Sequence, residues 1–478
     1  MGLKTVRSIC QNCLPFLFTF PMLYLAASCE KERTVDRIFA NTKRASIQVE
    51  NQKRSRGWTI APEVNPDIFP LEMEKGERLD VTFMTDMDTI TYNLGEGETK
   101  DLLVILKDGD TAYTRFQSVP PKAIFTNDYI NKNRRRSSVE VVEAQELLQV
   151  IFAITETGLK DTNSLIINHD STDYYLDVIK EFLPHKKEPI VTIMDSLLKK
   201  RQYIRLKANA CSFYFNEDGV LKKSKTYDRM TGSFNPLDRY LPLLNDFAVK
   251  SNFRDFYDKN RRIYDSLITW HKTAVPTMRQ WDWLEQQFPD HRYDNYWITF
   301  SPLVKGNHST VRFNHNGFKQ AVMFTRPPYR VKGVSKEISE GLITRNVFTE
   351  IDHNYVNPET DKYMKQVNEF FKDRDLWTSG KESSGYNSPY TIFNEYMTWS
   401  VYLLFCYDQF DSEDFKLINE RIVSYIVNRR GFSRFDDFHG TLLGLYSRRT
   451  PGTTVADLYI PLLEWAATYR PDVPPLVN

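Results

Sequence analysis

The chain has 478 residues, of which 41% are hydrophobic, 14% aromatic and 26% charged. That composition excludes a disordered or fibrous protein and suits about two to four folded domains. Lys and Arg number 63 against 62 Asp and Glu, so there is no global basic field of the kind that gathers nucleic acid.

The N-terminus reads as an export signal over residues 1–28. Lys4 and Arg7 precede a run of 14 mostly apolar residues from Leu14 to Ala27. A bilayer span needs about 20 residues, and Pro15 and Pro21 break this run further. Leu25-Ala-Ala-Ser28-Cys29 resembles a bacterial lipoprotein box, although Ala26 stands where Leu is more usual. The resemblance implies lipidation of Cys29, with the membrane as a partner. The expected address is a bacterial cell envelope, at the outer membrane, facing the periplasm or the outside. Cys10 and Cys13 fall inside the signal. Cys211 and Cys406 are flanked by aromatic residues and are expected as buried thiols, with one bridge between them as the alternative.

Residues 29–130 read as a β-rich domain. Ser46-Ile-Gln-Val-Glu50, Asp80-Val-Thr-Phe83 and Thr89-Ile-Thr-Tyr92 alternate at period two, and Asp101-Leu-Leu-Val-Ile-Leu106 has the character of a buried strand. Short strands at such spacing predict a sandwich or small barrel. The polar stretch 127–138, with Arg134-Arg-Arg136, reads as a linker or exposed loop.

From Val139 the composition turns helical. Helices are expected from Val139 to Ile154, Asp173 to Phe182, Pro189 to Arg201 and Phe253 to His271, with a hairpin near 213–220. Residues 295–330 return to strand, with a β-hairpin turning at Asn314-His-Asn-Gly317. The rest is helical to Tyr469. The expected fold is α+β and multidomain: an N-terminal β-sandwich-like domain, then over 131–478 a mainly helical domain holding a small antiparallel sheet.

One helix carries chemistry. Over 343–357, Ile343, Val347, Phe348, Ile351 and Tyr355 share a face suited to burial, while Thr349, Glu350 and His353 share another. Asn357-Pro358 is expected to end the helix. Zincins use HExxH, in which two histidines bind zinc and the glutamate activates water. This chain reads Thr349-Glu350-Ile351-Asp352-His353, with a poor zinc ligand at the first position. A second helix starts at Ser388-Pro389 and is apolar nearly all round, so Glu395 within it must be paired, protonated or metal-bound. Asn394-Glu395 resembles the Asn-Glu pair that supplies the third zinc ligand in gluzincins, and 41 residues lie between His353 and Glu395.

In order and extent the chain resembles an uncharacterised family of Bacteroidetes lipoproteins, a domain of unknown function with zincin-like character. The stretches that carry this are Trp58-Thr-Ile-Ala-Pro-Glu-Val-Asn-Pro-Asp67, Thr85-Asp-Met-Asp-Thr-Ile90, Asp110-Thr-Ala-Tyr-Thr114, the helix from Val139, Ser301-Pro302 and 348–358. The resemblance implies a metallopeptidase-like domain. Glu350 would then be the catalytic base and His353 and Glu395 the metal ligands, with zinc as cofactor. Thr349, Asn394 and His439 would be auxiliary, and His308 or His315 could replace the missing ligand. Thr349 departs from the family's motif. Three readings stay open: a degenerate zincin whose cleft binds a peptide or glycan, an active site with Glu350, His353 and Glu395 as altered ligands, and an envelope scaffold.

Overall fold

The computed structural model describes residues 35–50, 55–161, 166–169 and 172–469. The signal segment and Cys29 lie outside them. The first eight strands are β1 (Asp36–Ala40), β2 (Arg44–Val49), β3 (Ser55–Thr59), β4 (Asp67–Glu72), β5 (Arg78–Met84), β6 (Thr89–Gly95), β7 (Thr99–Leu106) and β8 (Thr111–Val119). They form two four-stranded sheets, ordered β1-β7-β8-β4 and β3-β2-β5-β6. Period-two alternation turns Ala112, Thr114 and Phe116 of β8 inward. The Phe116 ring meets Phe69, Phe83 and Tyr92 at 5.7–6.0 Å, in a core shared by both sheets.

The stretch expected as a linker is ordered. It forms a helix, α1 (Asn127–Asn133), and a strand, β9 (Arg136–Glu140). The arginines that make it look solvated are used. Arg135 adopts φ +56°, donates to Asp282 and Glu285 and lies 4.2 Å from the Trp281 ring centroid. β9 runs parallel to β12 (Asn295–Thr299), and β12 parallel to β14 (Phe318–Phe324). Only β13 (Ser309–His315) is antiparallel to its neighbour β14, through a turn at Asn316-Gly317 where both φ angles are positive. The sheet, ordered β13-β14-β12-β9, is therefore mixed and not antiparallel as expected. β10 (Phe213–Phe215) and β11 (Leu221–Lys223) make the small hairpin.

Helices pack around this sheet. α2 (Glu143–Ile154) is buried nearly all round, and begins four residues later than expected because Val139 belongs to β9. The expected Phe253–His271 helix is two, Phe253–Lys259 and Arg261–Ala274, divided at Asn260. α4 (Lys336–Thr360), α5 (Pro389–Gln409) and α6 (Ser412–Arg430) line the candidate site, with α3 (Tyr203–Ala210) earlier in the chain and α7 (Phe435–Ser447) packed against α5 and α6. The architecture is mixed α and β, in keeping with α+β. Cys211 and Cys406 are free and buried. Among the described residues, no helix is long and apolar enough to cross a membrane.

Candidate functional site

α4 is capped by Ser335, whose hydroxyl accepts from the Ile338 N–H. Ile343, Val347, Phe348, Ile351 and Tyr355 are buried against the core, as the spacing requires. The helix does not stop at Asn357-Pro358; it runs on to Thr360 with Pro358 inside. Tertiary bonds hold the turn that proline weakens. Thr360 donates to Asn394 Oδ1 at 2.7 Å, and Glu359 pairs with Lys362 at 2.7 Å and His291 at 3.2 Å.

α5 opens with Ser388 and Thr391 in a reciprocal cap and Pro389 in the first turn. From Ile392 to Cys406 every residue except Glu395 is buried. Glu395 instead faces a cavity of about 610 Å³. The walls of that cavity include Thr349, Glu350 and His353 from α4, Thr398 and Trp399 from α5, and Arg430 from α6.

At the centre, His353 Nε2 lies 3.8 Å from Glu395 Oε1. His353 Nδ1 lies 3.2 Å from Asn357 Oδ1 and 3.4 Å from Thr398 Oγ1. Burial holds the imidazole below its ordinary range, against the pull of the Glu395 charge. The other oxygen of Glu395, Oε2, accepts from Arg430 Nη2 at 3.0 Å and from Trp399 Nε1 at 3.3 Å. Arg430 also donates to the Tyr386 hydroxyl. Glu350 makes no ion pair among the described residues. Burial, reinforced by the Glu395 charge, raises its carboxyl to about 7.

Arg430 owes its place to a helix ending. It is the last residue of α6, and Gly431 follows at φ +74°. A Cβ at Gly431 would lie 2.1 Å from Ser379 O, so both the left-handed backbone and the close approach require glycine.

Of the zinc donors implied by the resemblance, His353 and Glu395 come within 3.8 Å of each other, but the residues that would complete the set do not join them, His308 excepted. Thr349 turns its hydroxyl back onto its own helix, donating to Arg345 O at 2.8 Å. Asn394 faces Thr360 and not the cavity, and its Nδ2 is buried without a partner among the described residues. His439 is 2% exposed and stacked on Phe435, and neither of its nitrogens has a partner among the described residues. His315 faces the sandwich, accepting from Phe125 N at 3.0 Å and lying 3.2 Å from Glu74. His308 does line the cavity. Zinc takes three or four protein donors, and the described residues contain no group of three His, Cys, Asp or Glu side chains placed to hold a metal. A guanidinium 3.0 Å from the carboxylate that would be the third ligand is a further mismatch, since it repels a cation there. The residues present do not fit zinc.

Reading the motif brought Glu350, His353 and Glu395 to one cavity but missed Arg430, Arg345, Trp399 and Tyr386. Asn428-Arg-Arg430-Gly431 carries only the signal of a helix C-terminus. Comparisons with models of known protein families, with curated proteins and with solved structures find no match, so the site stands on its own geometry.

Proposed function

We propose that the protein is an exported envelope lipoprotein, anchored through Cys29 at the outer membrane, whose C-terminal domain keeps a metallopeptidase-like cleft that binds a peptide without a metal. In this reading the sandwich and the zincin-like domain follow one another in the order of the sequence. The observation that carries it is the bonding of Glu395. Arg430 supplies, 3.0 Å from that carboxylate, the positive charge that a divalent ion would supply in an active relative. The Thr349 hydroxyl, bonded to its own backbone, points the same way.

A peptide is favoured over a glycan by the neighbouring sheet. β13 is an edge strand and begins directly after His308 in the cavity wall. An edge offers backbone donors and acceptors to an extended chain.

Metal analysis of the purified protein beside its His353→Ala variant tests this reading. The expected result is no stoichiometric metal in either protein. Near-stoichiometric zinc, iron or manganese that disappears in the variant would overturn it and restore the altered-ligand enzyme. Mass spectrometry of the membrane-extracted protein tests the anchor, the expected species beginning at an acylated Cys29.

A further inference from the structure

The two outer faces of the sandwich differ in kind. On β5 and β6 the outward positions are polar, among them Asp80, Thr82, Thr91 and Asn93. These side chains bond to one another, Thr82 to Thr91 at 2.9 Å and Asn93 to Asp80 at 2.7 Å, as a sheet face turned to water does.

The sheet β1-β7-β8-β4 is apolar on its outward side. Phe39 of β1 sits beside Ile105 of β7, and Leu103 of β7 beside Tyr113 of β8. Ile68 of β4 extends the patch next to Arg115, whose charge Asp101 matches. Phe39 is 50% exposed, Ile68 40% and Tyr113 36%. Leu103 and Ile105 are half-buried but pack against no hydrophobic core among the described residues. Single exposed apolar side chains are ordinary, whereas five across four neighbouring strands make a surface suited to being covered.

The chain itself sets what lies within reach. Asp36, the first residue of β1, stands seven positions after Cys29. Fully extended, that segment spans at most about 25 Å, roughly the length of an eight-residue strand such as β7. An acyl group on Cys29 therefore keeps the sandwich, and β1 before any other strand, close to the bilayer. One anchor gains strength from a second contact, whether apolar or basic. Arg37, exposed in the same outward row as Phe39, and exposed Lys107, just after β7, offer positive charge to anionic headgroups at the border of the patch.

We propose that the outward face of the β1-β7-β8-β4 sheet lies on the lipid surface, with Phe39, Ile68 and Tyr113 entering the headgroup region. The inference rests on Cys29 being acylated, and names the protein surface that meets the lipid.

Environment-sensitive labels on the full acylated chain test it. Tyr113→Cys and, on the opposite face, Thr91→Cys each add one exposed thiol, since Cys211 and Cys406 are buried. Each variant is labelled with a nitrobenzoxadiazole fluorophore and reconstituted in vesicles of phosphatidylethanolamine and phosphatidylglycerol. The expected result is blue-shifted emission from the Tyr113→Cys label, most of it lost to a spin-labelled lipid, and water-like emission from the Thr91→Cys label. Adding Phe39→Asp and Ile68→Asp should return the Tyr113→Cys label to water while the chain still floats with the vesicles. A Tyr113→Cys label as wet as the Thr91→Cys label, on an acylated chain that floats, overturns the proposal and leaves the anchor standing. A dry label that the spin-labelled lipid cannot reach, and that dilution of the protein among the vesicles makes wet, assigns the face to a second copy and also overturns it. A chain that carries no acyl group by mass spectrometry and does not float overturns the anchor and the proposal together.

Discussion

The sandwich and the body that follows it bury different things. Among the described residues of the sandwich, Thr114 is the one buried polar side chain, and ion pairs such as Arg78–Glu98 and Arg115–Asp101 lie towards the surface. The body buries Glu146, Lys207 and Asp352 with no exposed surface and His271 and His439 at 2%. Neither oxygen of Asp352 has a hydrogen-bond partner among the described residues. Burial raises the Glu146, Glu350 and Asp352 carboxyls and lowers the histidines. One region is stabilised by area alone. The other also carries the desolvation of ionisable groups buried in its core.

Substitutions should separate the two regimes. Phe116→Ala in the sandwich should cost about 3–5 kcal/mol in urea denaturation, because a fully buried ring touching three others leaves a cavity. It should leave peptide affinity unchanged; a large loss of affinity would show that the two regions act as one.

In the body, Arg430→Met should cost about 2–3 kcal/mol, below the range for wholly buried pairs because a quarter of the Arg430 side chain is exposed. Adding Glu395→Gln should recover most of that loss, since the penalty comes from a carboxylate left facing the cavity alone. No recovery in the double variant would mean that Arg430 acts through its rings and not its charge.

The pH dependence has a definite sign. Glu146 titrates near 7 in the folded chain, above its ordinary value of 4.5. Its stabilising contribution is therefore complete below about 4.5 and is lost as pH rises to about 7. Glu146→Gln, which can keep the Tyr174 hydroxyl as a partner, should gain on the native chain by about 2–3 kcal/mol between pH 4 and 8. A flat difference across that range would show that Glu146 is ionised and paired. His439 has the opposite sign. Burial lowers it to about 3, so its contribution is present above pH 6.5 and is lost as pH falls towards 3. His439→Leu should stabilise by about 1–2 kcal/mol at pH 7, since both nitrogens lack partners, and by more at pH 5. The smallest effect belongs to Arg345→Gln, which should change stability by no more than about 0.5 kcal/mol.

Much of this was legible in the residues. Strands β2, β5 and β6 announce themselves by alternation and β7 by its apolar run, and the Ser388-Pro389 helix start matches its cap. A glutamate in so apolar a helix calls for a partner, and Arg430 is the partner of Glu395. Arg430 itself was illegible, because an arginine before a glycine reads as the ordinary end of a helix. β9 was hidden for a related reason. Its arginines and serines lack an apolar rhythm, and its pairing depends on contacts with residues far along the chain, including Asn295, whose side chain donates to Asn133 O and Arg136 O. Asn357-Pro358 misled in the other direction, since tertiary bonds overrode a local breaker.

The parallel pairing of β9 with β12 also sets an order of events. Every partner in the sandwich lies within 36–119, so that unit is complete as soon as its own residues emerge. β9 is made next, yet its neighbour begins only at Asn295. However the chain is delivered, β9 has no strand partner from β12 until some 155 further residues have followed it. Until then an unpaired strand edge is open to wrong partners.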